Sequence, residues 1–109
     1  MAAIINMTTE LAKSLAHRGI TLHTVSPGTI LTDTLVEMST GWARQLGWET
    51  DDWHEIEGRF TSEVMPQPAN HFGRPEDIAR TVAFIASPLS SYMTDANYRV
   101  DGGVCRSVN

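Results

Sequence analysis

The rest of this chain is organised around the heptapeptide Ser26-Pro27-Gly28-Thr29-Ile30-Leu31-Thr32. It follows an apolar run, Ile20 to Val25, that predicts a buried strand, and Pro27 offers no backbone donor, so the strand should stop there. Gly28 allows a sharp bend and a close approach to a ligand, and Thr32 supplies a hydroxyl where a helix can begin. Ligands of open α/β sheets bind at the carboxyl ends of strands, so the segment is either a plain turn or a ligand-contacting one.

The composition narrows the class of protein. The 109 residues allow one domain, and the net charge of -5 argues against a nucleic-acid partner, which needs a basic face. No apolar stretch reaches the length that crosses a membrane. The single cysteine, Cys105, cannot form an internal disulfide, and its neighbours do not form a nucleophile triad. We therefore expect a cytoplasmic protein without a catalytic thiol.

Residues 3–18 are predicted to form an amphipathic helix. Gly19 is well placed to close this helix with a left-handed cap. Helical register is already present at Ala2 without a capping residue, which predicts a further piece of helix upstream of Met1. The apolar stripe and the slim alanine face consist of Ile4, Met7, Leu11 and Leu15, and of Ala2, Ala3, Ala12 and Ala16.

Residues 31–65 form a polar, acidic segment that contains all three tryptophans. Asp52 with Glu55 resembles a capping box, which predicts a helix start. The aromatics either anchor two helices to a core or line a substrate pocket beneath a helical lid, with Trp42, Trp48 and Trp53 as the pocket residues. The two helical stripes are Leu35, Met38, Trp42 and Leu46, and Trp53, Ile56, Phe60 and Val64.

Two further elements complete the chain. Residues 73–77 predict the start of a helix over 75–87, with a buried stripe of Ile78, Val82 and Ile85. A short strand is predicted within residues 97–103, ahead of the two final glycines. The order of helix, strand, helical insertion, helix and strand predicts an α/β fold with parallel strands. Two parallel strands leave long unpaired edges, so we expect a fold that is incomplete alone.

These motifs, in this order, resemble the C-terminal part of a short-chain dehydrogenase/reductase over essentially the whole chain. Residues 1–18 are similar to the long helix that follows the catalytic Tyr-x-x-x-Lys, and residues 20–28 to the sixth strand with its Pro-Gly turn. Residues 31–65 resemble the substrate-binding loop, residues 73–79 the start of the next helix, and residues 100–103 the closing strand. The resemblance implies the C-terminal portion of a Rossmann-like doubly wound parallel sheet, with two strands and about four helices.

The resemblance also implies a cofactor, NAD or NADP, and its contacts. Ile30 and Thr32 occupy the Pro-Gly-x-x-x-Thr positions. Ile30 would offer its backbone N–H and C=O to the nicotinamide carboxamide, and the Thr32 hydroxyl would bind the carboxamide or the pyrophosphate. Pro27 and Gly28 would shape that approach. The substrate implied is a small carbonyl compound or alcohol, and the assembly implied is a homo-oligomer.

The chain lacks the family's motifs for pyrophosphate binding and for catalysis. No Gly-x-x-x-Gly-x-Gly turn occurs, Tyr92 and Tyr98 lack a lysine four residues later, and Lys13 is the only lysine. We therefore expect an NAD(P)-dependent oxidoreductase as the parent protein and no catalytic residue within this chain. The alternatives are a non-catalytic binding or oligomerisation module and the complementing half of a split reductase.

Two other groups of side chains are not predicted to bind a metal ion or to act in catalysis. His17, His23, His54 and His71 are scattered without a paired ligand, so no metal site is expected. Asp51 and Asp52 could be interpreted as a carboxylate pair, but adjacent acids at a helix start favour capping and dipole roles.

Overall fold

The computed structural model describes residues 2–106, which form two compact units. Among the described residues, the first unit contains 2–27 and 76–100, and the second contains 28–75 and 101–106. Along the chain the elements are α1 (Ala2–Leu15), β1 (His23–Pro27), α2 (Asp33–Gln45), α3 (Trp53–Arg59), α4 (Pro75–Ile85) and β2 (Ala96–Val100). The predicted α/β class is confirmed. No helix within residues 2–106 has the length and apolarity to cross a bilayer.

The sheet consists of β1 and β2, paired in parallel as predicted. The register runs from His23 opposite Ala96 to Pro27 opposite Val100. The predicted start of the first strand at Ile20 is wrong, and Ile20 is exposed. Leu22 bonds through its N–H to the Thr94 hydroxyl and through its C=O to the Asp95 N–H, so its backbone is used by the loop before β2.

Helix α1 packs on β1, and the residue that it buries comes from its slim alanine face. Ala12 is fully buried, whereas Ile4, Met7 and Leu11 are exposed. A methyl side chain lets the helix backbone approach the strand closely, which the larger residues would prevent. The α-helix ends at Leu15, earlier than predicted, and a 3₁₀ turn over Ala16–Arg18 follows it. Gly19 closes this turn with the predicted left-handed cap: its φ is 74° and its N–H donates to the carbonyl of Ala16.

The predicted helix over the stripe that starts at Leu35 is present as α2, and the residues buried on it are Ser39 and Ala43. Of the predicted set, Met38, Trp42 and Leu46 are exposed. Small side chains again form the packed face of the helix.

Helix α3 follows its predicted pattern more closely. Ile56 and Phe60 are buried, and Phe60 opens a π-helical turn that ends at Val64. Asp52 caps the helix by accepting from the N–H of His54. The predicted capping box is not completed, because the N–H of Asp52 donates to the Thr50 hydroxyl, which in turn donates to the Glu55 carboxylate.

Helix α4 ends at Ile85, earlier than predicted, and has no fully buried residue. Ile78 and Ile85 are half-buried, while Val82 is exposed, so the predicted buried stripe is wrong. The core of the second unit is instead built from Ile56, Phe60 and Phe72. The rings of Phe60 and Phe72 lie 6.1 Å apart at a tilt of 53°, a favourable aromatic geometry.

Candidate functional site

The predicted contact residues begin where β1 ends. Pro27 is the last residue of β1 and pairs in register with Val100 in the first unit. Gly28 opens the second unit, where its backbone lies against Asp101. A Cβ added at Gly28 would stand 2.6 Å from the Asp101 Cα and 3.1 Å from its carbonyl oxygen. The turn therefore requires glycine for close backbone packing.

The extended segment that follows is bonded to Gly73 on one edge. Gly73 donates its N–H to the Thr29 carbonyl over 3.0 Å and accepts from the Leu31 N–H over 2.8 Å. These bonds form a parallel bridge between Ile30 and Gly73. Because backbone groups of an extended chain alternate between two edges, the N–H and C=O of Ile30 face away from Gly73. Within residues 2–106, no hydrogen bond engages either group of Ile30.

Thr32 is the N-cap of α2, as its hydroxyl predicted. Its Oγ1 accepts from the N–H of Leu35 over 3.2 Å, and its carbonyl accepts from Val36. Such a cap stabilises a helix by about 1 kcal/mol. The hydroxyl proton remains a donor, so one oxygen can cap the helix and contact a ligand together.

The carboxylate of Glu57 is bonded to the residues on both sides of Gly73, and this contact was not predicted from the sequence. Glu57 on α3 is 4% exposed and accepts three hydrogen bonds from the segment around Gly73. Two come from the Arg74 guanidinium, at 2.7 Å and 2.9 Å, and one from the Phe72 N–H, at 3.1 Å. Arg74 also donates to the Phe72 carbonyl over 3.1 Å. Residues 72 and 74, on both sides of Gly73, are thereby held by one side chain.

The charge of Glu57 is maintained by its donors. The hydrogen-bonded Arg74 guanidinium lowers the pKa of the Glu57 carboxyl from its ordinary value, although burial opposes this. The Phe72 N–H and the electrostatic influence of Arg74 and His71 lower the pKa of Glu57 further. Glu57 is therefore ionised at neutral pH, and both of its oxygens act only as acceptors.

One signal in the sequence could have revealed Glu57. It lies one position after Ile56 and four after Trp53, inside the helical stripe that also contains Phe60. An acid at such a position is buried and needs a partner. Nothing in the helical periodicity indicates that the partner is Arg74, since the two residues are 17 positions apart.

The three predicted pocket tryptophans all lie in the second unit. Trp42 is exposed on α2, Trp53 is the first residue of α3, and Trp48 lies under the Arg59 guanidinium at 4.2 Å from the ring centroid. An open cavity of about 360 Å³ in the same unit is lined by other residues. They are Thr61, Ser62, Pro66, Gln67, Pro68, Asn70, Gly103, Val104 and Arg106.

Comparison with known proteins identifies the family. A family model described as enoyl-(acyl carrier protein) reductase matches residues 1–105. The solved structure of a short chain dehydrogenase family protein from Francisella tularensis subsp. tularensis SCHU S4 superposes with a TM-score of 0.67 at 33% identity, covering 94% of this chain and 40% of that one. The chain belongs to the short-chain dehydrogenase/reductase family.

Two further proteins resemble the chain. The 3-oxoacyl-(acyl-carrier-protein) reductase FabG of Rickettsia bellii is 36% identical over 103 residues, which are 94% of this chain and 36% of that protein. A blue fluorescent protein from a metagenomic library, solved in complex with NADPH, is 35% identical with a TM-score of 0.62, covering 94% of this chain and 34% of that one. The chain spans 35–36% of the length of the first curated relatives that it matches.

Proposed function

We propose that this chain supplies the nicotinamide-contacting turn of an NAD(P)-dependent short-chain dehydrogenase/reductase. The complete enzyme would transfer a hydride between the cofactor and a small carbonyl compound or alcohol. Family membership supports the reaction class, and the relative bound to NADPH supports a nicotinamide cofactor. The finer assignments to Pro27, Gly28, Ile30 and Thr32 are part of this proposal.

The observation that carries the proposal is the free backbone edge of Ile30. Its N–H and C=O face away from Gly73, and a primary carboxamide presents one acceptor and two donors that match this pair. The neighbouring atoms of Thr29 and Leu31 are bonded to Gly73, which holds the edge in an extended conformation before a ligand arrives. A preformed edge reduces the entropy that binding would otherwise lose.

The chemical step depends on groups that these 109 residues do not contain. The resemblance implies a Tyr-x-x-x-Lys pair as proton donor and a glycine-rich turn for the pyrophosphate, and neither motif occurs in the sequence. When bound, the cofactor supplies or accepts the hydride. The role of this chain would be to orient the nicotinamide ring. We therefore expect the isolated chain to be inactive.

We expect the chain to bind the nicotinamide half of the cofactor weakly. In an NMR titration, reduced nicotinamide mononucleotide should shift the amide signals of Ile30, Leu31 and Thr32, with a dissociation constant no tighter than millimolar. Affinity is low because only one edge of the site is present. NADH and NADPH should shift the same signals.

Adenosine monophosphate is the matched control ligand, because it carries a phosphate and a ribose but no carboxamide. It should leave the Ile30 amide signal unchanged, because the contact proposed for Ile30 is to the carboxamide. Equal shifts with both nucleotides, or no shift at Ile30 with reduced nicotinamide mononucleotide, would contradict the proposed contact. Submicromolar binding of NADPH by calorimetry would contradict the view that the site is only half present.

A second proposal, association with another polypeptide, is favoured by the exposed apolar side chains of α1. Ile4, Met7 and Leu11 project from one stripe of this helix, and each strand of the β1-β2 sheet in the described residues has one open edge. The partner would be a second copy or a complementing chain. Light scattering should give a mass above the monomer value of 12.0 kDa, and Met7→Glu should lower that mass. A folded, monodisperse monomer would refute self-association.

A further inference from the structure

We propose that Glu57 is a positioning residue for the extended segment 29–31, acting through the residues on both sides of Gly73. This inference rests on the proposed function only for its consequence on cofactor binding. The link itself is a property of the second unit, and its test does not require a cofactor.

The link from Glu57 to segment 29–31 begins at the Glu57 carboxylate. Both oxygens of Glu57 are bonded, one to Arg74 alone and the other to Arg74 and the Phe72 N–H. A bidentate guanidinium–carboxylate pair fixes orientation as well as distance. With the acid buried and three donors converging on it, residues 72 and 74 have one preferred placement.

The second step is Gly73, which has no side chain of its own to hold it in place. Its position is set by its anchored neighbours, and its N–H and C=O bond to Thr29 and Leu31. A Cβ at Gly73 would come within 2.7 Å of the Ile30 Cδ1, so the two segments are in close contact. A shift of residues 72–74 would therefore move or release residues 29–31.

A purely structural role for the ion pair makes a different prediction. If Glu57 only stabilised the second unit, its loss would weaken all hydrogen bonds of that unit together. If Glu57 positions the segment, its loss would open the Gly73 bridge before the helices. Hydrogen exchange separates these cases, because local opening and global unfolding give different exchange rates along the chain.

The test compares Glu57→Gln with Glu63→Gln in the full chain. Glutamine replaces one acceptor oxygen with an NH₂ group that faces donors of Arg74 or Phe72. The amides of Leu31 and Gly73, which form the bridge, should exchange about tenfold faster in Glu57→Gln. The reporter amides of Trp48 and Met65, which bond to Ala43 and Phe60 at the helix ends, should change less than about twofold.

Glu63→Gln is the matched control. Glu63 lies in the π-helical turn after α3 and pairs with Arg59 at 3.4 Å, and both side chains are exposed. All four amides should exchange at their original rates. Unchanged exchange at Leu31 and Gly73 in Glu57→Gln would overturn the link, as would an equal rise at all four amides.

A second variant covers the case in which Glu57→Gln does not fold. Arg74→Lys keeps the charge but loses the bidentate geometry, and it should raise exchange at Leu31 and Gly73 by a few-fold. If both variants unfold the second unit, the pair is structural and the positioning role is wrong.

Binding of reduced nicotinamide mononucleotide tests the proposed cofactor contact separately from the link between Glu57 and segment 29–31. Glu57→Gln should weaken its binding about tenfold, because the Ile30 edge is no longer held. Faster exchange at the bridge, combined with no binding by the original chain, would leave the link in place and refute the proposed cofactor contact. Unchanged exchange in the variant, combined with normal binding, would refute the link and leave the cofactor contact in place.

Discussion

Replacing Phe72 with alanine should destabilise the second unit by about 3–5 kcal/mol. Phe72 is fully buried and its ring packs on that of Phe60, which is 1% exposed. Truncation removes the apolar contacts of the ring and leaves a cavity beside Phe60. Because small domains have only about 5–15 kcal/mol of stability in total, the variant should be largely unfolded under mild denaturing conditions.

Urea denaturation followed by circular dichroism would measure this effect. The control is Phe84→Ala, since Phe84 is 43% exposed on α4 in the first unit. Its unfolding free energy should change by less than about 1 kcal/mol. If Phe72→Ala cost no more than Phe84→Ala, Phe72 would not be the centre of the second unit's core.

Replacing Gly28 with alanine should destabilise the chain by about 1–3 kcal/mol. The added methyl group would stand 2.6 Å from the Cα of Asp101, 2.8 Å from its Cβ and 3.1 Å from its carbonyl oxygen. Two of these atoms belong to the backbone, so no rotation of a side chain relieves the clash. The turn or the segment after β2 must move, and we expect the amide shifts of Ile30 with reduced nicotinamide mononucleotide to be lost as well.

Gly41→Ala is the matched control for this substitution. Gly41 lies inside α2, and a Cβ added there would meet no atom within 4 Å. Alanine has the higher helix propensity, so this variant should gain about 0.5–1 kcal/mol. Thermal melts of the two variants should therefore shift in opposite directions. A melting temperature of Gly28→Ala equal to the original would contradict the close packing against Asp101.

Phe60, Phe72 and Gly28 differ in how well their roles could be predicted from the sequence. Phe60 falls on a helical stripe that was predicted to face a core or a substrate pocket, whereas Phe72 lies outside any periodic element. Gly28 was predicted to allow close approach, and the close neighbour within the second unit is Asp101. On α1 and α2 the fully buried residues are small ones, such as Ala12 and Ala43, and not the large residues of the apolar stripes.

Several features of the fold depend only on residues that are close together in the chain, and these could be predicted. These include the parallel α/β order, the left-handed cap at Gly19, the caps at Asp52 and Thr32, and the end of β1 at Pro27. Each follows from a backbone preference or a hydrogen bond within a few positions, so the local residues suffice to specify it.

Contacts between groups that are distant in the chain could not be predicted and were found in the folded structure. The pairing of Glu57 with Arg74, the bridge from Gly73 to Thr29 and Leu31, and the packing of Gly28 on Asp101 join residues far apart in the chain. Helical and strand periodicity state that a residue is buried but not what it is buried against. The partner of a buried group is fixed only in the folded chain, where every buried charge and backbone group needs a hydrogen bond. For this reason Glu57 is bonded to the residues on both sides of Gly73, and Gly73 is bonded to the segment that follows Gly28.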